Sequence, residues 1–63
     1  MIEKKLIRLI AERFRNRDYC LCAAVSMETD EQRLVLIDFI ESNENLKWTD
    51  IEIEMMKIQG IIK

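Results

Sequence analysis

Residues 18–27, DYCLCAAVSM, decide the fold. Taken with a period of two, Tyr19, Leu21, Ala23, Val25 and Met27 form one face, and Cys20, Cys22, Ala24 and Ser26 the other. A strand needs a hydrogen-bonded partner, and no second segment of the chain reads cleanly as one. As a helix, the segment takes Asp18 as its N-cap and is apolar nearly all round, as a central core helix is. Ala23 and Ala24 favour the helix. The segment is therefore expected to be helical over 18–28.

The same choice governs the two cysteines. Side chains two apart on a helix diverge by about 200°, so one ion could hardly meet both sulfurs. Only the strand alternative aligns them, and a four-sulfur zinc site would then need two chains. The spacing is C-x-C rather than C-x-x-C, and the chain has no histidine. Cys20 and Cys22 are expected to pack in the core as small hydrophobes, with no metal and no cofactor.

Working outward, residues 2–16 place Ile2, Leu6, Ile7, Leu9, Ile10 and Phe14 within an arc of roughly 160°. Lys4, Lys5, Arg8 and Arg15 lie opposite, with Glu12 among them. Downstream, Thr29 and Gln32 form a capping box for a helix over 30–42. There Val35, Leu36, Ile37, Phe39 and Ile40 cover roughly 200°, wide enough to be contacted from more than one side, so this helix is expected at the centre. Asn43 and Asn45 turn the chain without glycine. A last helix over 49–60 is read from a second box, Thr49 to Glu52, with Trp48 and Ile53 as a hydrophobic staple. Trp48, Ile51, Met55, Ile58 and Ile62 form its docking seam, and Gly60 ends it. The expected fold is all-α: one domain, 1–63, a small bundle of about four short helices.

The size argues for a partner. A folded chain of this mass exposes about 4,300 Å², against roughly 11,000 Å² unfolded. If roughly 4,000 Å² of the difference is apolar, burial contributes on the order of 100 kcal/mol. Ordering the chain costs about 95 kcal/mol, so the terms nearly cancel, and small domains often add a second subunit. The chain is 49% hydrophobic, rich for so little interior, which points to a homodimer or a protein partner. Met55 and Met56 near Trp48 are read as one core residue and one at a contact, so Trp48, Met55 and Met56 join the candidate interaction residues.

Charge is uneven. Residues 1–17 carry six Lys/Arg against two Glu, and residues 18–63 carry four Lys/Arg against ten Asp/Glu. Lys4, Lys5, Arg8 and Arg15 make the first helix a candidate surface for an acidic partner or for nucleic acid. The overall charge of −2 and the lack of base-reading residues weigh against nucleic acid, which remains the alternative reading. A recognition helix needs a polar face, and the helix over 30–42 is largely apolar.

Catalysis finds no support: there is no histidine, no nucleophile elbow and no Gly-rich phosphate loop. No apolar run is long enough to span a bilayer, and no signal peptide is visible, so a cytoplasmic location with reduced thiols is expected. The functional expectation is a small intracellular interaction or regulatory protein acting through helix-face contacts, and not an enzyme.

Overall fold

The computed structural model describes residues 1–62. It contains four helices and, among the described residues, no strand: α1 (Ile2–Phe14), α2 (Arg17–Ser26), α3 (Asp30–Ser42) and α4 (Trp48–Ile61). Residues 18–26 of the cysteine-containing run are helical, and the all-α expectation holds. α1 packs on α2 and α3, and α4 packs on α3 and α2, so the main contacts close into a ring. The helix over 30–42 is thus one member of a ring rather than its axis. The folded chain exposes 4491 Å².

The core is small and apolar. α1 supplies Leu6 and Ile10, α2 Cys20 and Ala23, and the turn after it Met27. α3 adds Leu36, Ile37 and Ile40, and α4 Ile51, Met55 and Ile58. The α4 seam matches its expected spacing, with Trp48 and Ile62 packed at the edge of the core. The α3 stripe is narrower than expected. Val35 is exposed, as is Leu34, because α3 packs chiefly on α1 and α4 and its outer face meets neither.

Helix ends differ from expectation by one or two residues, and three of them have a clear local reason. α1 stops at Phe14, because Arg15 adopts a left-handed conformation (φ 51°) and its N–H returns to the Ala11 carbonyl. The N-cap of α2 is Asn16, not Asp18: its side-chain oxygen accepts the Tyr19 N–H at 3.2 Å, leaving Asp18 free in the first turn. α4 begins at Trp48, with Lys47 as N-cap. The Asp50 carboxylate accepts the Lys47 N–H at 2.9 Å, which moves the start one residue upstream of the expected Thr49 box. Trp48 is therefore the first helical residue and cannot be a staple residue, and Ile53 is exposed. Gly60 lies inside α4 rather than ending it.

The Thr29–Gln32 box forms as expected, and Gln32 does more than cap. Its carbonyl accepts the Glu28 and Thr29 N–H groups at 2.7 and 3.3 Å, while its amide donates to the Ile62 carbonyl at 2.6 Å. Gln59 donates to the Ser26 carbonyl at 2.9 Å. Two amides thus fasten the end of α4 to the α2–α3 turn. α3 ends on Asn43, whose side chain donates to the Phe39 carbonyl at 2.8 Å. Asn45 then takes the left-handed conformation (φ 59°) that the glycine-free turn requires.

Candidate interaction surfaces

Four candidate residues were drawn from the basic side of α1, and the structure brings three of them together. Lys4, Lys5 and Arg8 border an open groove of about 620 Å³ with Met1, Ile2, Leu9, Glu12 and Glu41. Its charge is mixed, since Glu12 and Glu41 stand in the same groove as the three cations. Arg15 is elsewhere. Its left-handed backbone carries it to a second groove, between α1 and α2.

The α4 candidates divide. Met55 is 4% exposed and belongs to the core, whereas Met56, about 100° further round the helix, is 65% exposed. Trp48 is part of an aromatic cluster that closes one end of the bundle. Its ring stacks on Tyr19 with centroids 4.2 Å apart and planes 3° from parallel. Phe14 meets both edge-on, at 5.8 Å from Tyr19 and 5.6 Å from Trp48. The end of α1 and the starts of α2 and α4 are thereby joined through offset and T-shaped ring contacts.

The cysteines do not share one environment. Cys20 is buried, and its thiol donates to the Ile7 carbonyl at 3.6 Å, whereas Cys22 is exposed. The core expectation is right for Cys20 and wrong for Cys22. The helix turns the two thiols apart, as its pitch requires. Among the described residues, no group of three or more His, Cys, Asp or Glu side chains is placed to hold a metal ion.

The surface that sequence reasoning missed lies on α2. This helix buries its small side chains, Cys20 and Ala23, packs Tyr19 into the aromatic cluster, and exposes its larger aliphatic ones. Leu21 is 54% and Val25 78% exposed. Beside them runs a groove of about 400 Å³ bordered by Ile7 and Ala11 of α1 and by Cys20, Leu21 and Ala24 of α2. Arg15, Asn16 and Arg17 close one end of it. A signal was present. Cys20, Ala23 and Met27 follow a 3-4 spacing, while Leu21 and Val25 follow a second row four apart, so the run holds two apolar stripes rather than a continuous coat.

Among the described residues, no helix is long and apolar enough to cross a membrane. Comparison with protein-family models, with curated proteins and with solved structures found no match.

Proposed function

We propose that this chain is a small non-catalytic interaction or regulatory protein, acting through helix-face contacts with protein partners and through self-association as a homodimer. The observation that carries this reading is the inverted α2, which keeps small residues inside and presents Leu21 and Val25 to solvent beside an apolar groove. Isolated exposed apolar residues are ordinary on any protein. A row of them along a groove marks a place where another surface docks. A cytoplasmic, reducing setting accords with the exposed free thiol of Cys22. The mixed charge around Lys4, Lys5 and Arg8 favours a protein surface over a phosphate backbone as what that groove faces.

Sedimentation equilibrium tests the self-association. The expected result is a mass that rises with concentration through the tens of micromolar toward twice the monomer value. A single monomeric species across that range removes the homodimer.

A further inference from the structure

The α1–α2 groove has a polarity as well as an apolar floor. Two rows of side chains run along this face at a spacing of four residues; Ile7, Ala11, Arg15, Arg17 and Leu21 line the groove, and Glu3 and Val25 continue the rows beyond it. On α1 the row is Glu3, Ile7, Ala11 and Arg15. On α2 it is Arg17, Leu21 and Val25, with Glu28 just beyond the end of the helix. The short connection through Arg15 and Asn16 brings Arg15 and Arg17 to one end of the groove. Glu3 lies beyond the other end. Its carboxylate lies 3.5 Å from Arg33, which binds Asp30 at 2.8 Å, at the start of α3 and two residues from Glu28.

The face is therefore cationic at one end, where Arg15 and Arg17 line the groove, acidic at the other, where Glu3 and Glu28 stand, and apolar between. Such a surface is complementary to itself when turned end for end. A two-fold axis across the helices sets Arg15 and Arg17 of one copy over Glu3 and Glu28 of the other, and packs Leu21 and Val25 against their counterparts. Asp18 and Lys4 carry the opposite sign at these ends, on neighbouring rows at the solvent-exposed rim, where screening is strongest.

We propose that the α1–α2 face is an isologous dimer interface whose occupant is a second copy of this chain, with the axis passing close to the midpoint of α2, between Leu21 and Cys22. This rests on the self-association proposed above and adds the face and the symmetry. The exposed Cys22 thiols of the two copies then lie on either side of the axis.

Sedimentation equilibrium on wild type and five variants tests the arrangement, with far-UV circular dichroism verifying that each variant is helical. Leu21→Glu is expected to be monomeric wherever wild type is dimeric. Val25→Lys, at a more exposed position, serves the same purpose if Leu21→Glu loses helicity. Arg17→Glu and Glu28→Arg should each weaken the dimer by about tenfold, since each change puts like charges together twice across the axis. The double variant Arg17→Glu/Glu28→Arg should recover to within about threefold of wild type, because the swapped pairs attract again. A short bifunctional maleimide should link wild-type chains through Cys22 and leave the Leu21→Glu variant unlinked. A wild-type monomer ends both the self-association and this interface. A dimer indifferent to Leu21→Glu or Val25→Lys leaves self-association standing and overturns the face. A dimer sensitive to them but not rescued by the double swap overturns the end-for-end symmetry.

Discussion

Cys20 and Cys22 lie one residue apart in sequence and on different sides of α2, one against the Ile7 carbonyl and one in solvent. Thiol reactivity requires access, so the two should be chemically distinct. Titration with a thiol reagent is expected to consume about one equivalent in the folded protein and two in denaturant; prompt reaction of both in the folded state contradicts the burial of Cys20. What the residue scale hid was which cysteine faced the core. Both are small and apolar, and their positions within an almost wholly apolar run carry no polar neighbour to orient the wheel. Gln32 was legible as a cap from its place three residues after Thr29. Its bond to the Ile62 carbonyl was not, because local sequence cannot show which distant chain end comes within reach of an amide.

Among the helices, existence and type were legible, and ends were less so. The hydrophobic rows of α1 and α4 and the Thr29 box located three of the four within a residue or two. Competition between adjacent capping residues caused the errors. Asn16 and Asp18 are both good caps, as are the Thr49 and Asp50 arrangements, and one residue of shift decides which backbone N–H is satisfied. Gly60 is the clearest case of a misread signal. A glycine near a helix end commonly adopts a left-handed conformation, yet here the chain has no glycine of positive φ, and the helix continues through Ile61. A methyl group at Gly60 would meet nothing within 4 Å. Gly60→Ala should therefore stabilise the fold by up to about 0.5–1 kcal/mol, through lower backbone entropy in the unfolded chain. Urea denaturation measures this as a higher midpoint at unchanged slope; a lower midpoint means that the backbone there is not helical.

For the whole molecule, the ring of helices means that each element packs mainly on two others, and none can leave without opening at least two interfaces. The candidate interaction surface was the part least legible in the sequence. Apolar content predicted that something would be left over after the core was filled, but only the packing of α2 shows that Leu21 and Val25 are what remains. The aromatic cluster has a further consequence, which is optical. The chain holds one tyrosine and one tryptophan, and in the folded state their rings are stacked. Light absorbed by Tyr19 is therefore handed to Trp48 by resonance transfer, and tyrosine emission is extinguished. Unfolding separates α2 from α4 and switches that emission on, so the molecule carries its own donor and acceptor. Because three helix ends meet there, the recovery of tyrosine emission should coincide with the loss of helical ellipticity in one transition. Separated midpoints would show that this end of the bundle opens on its own.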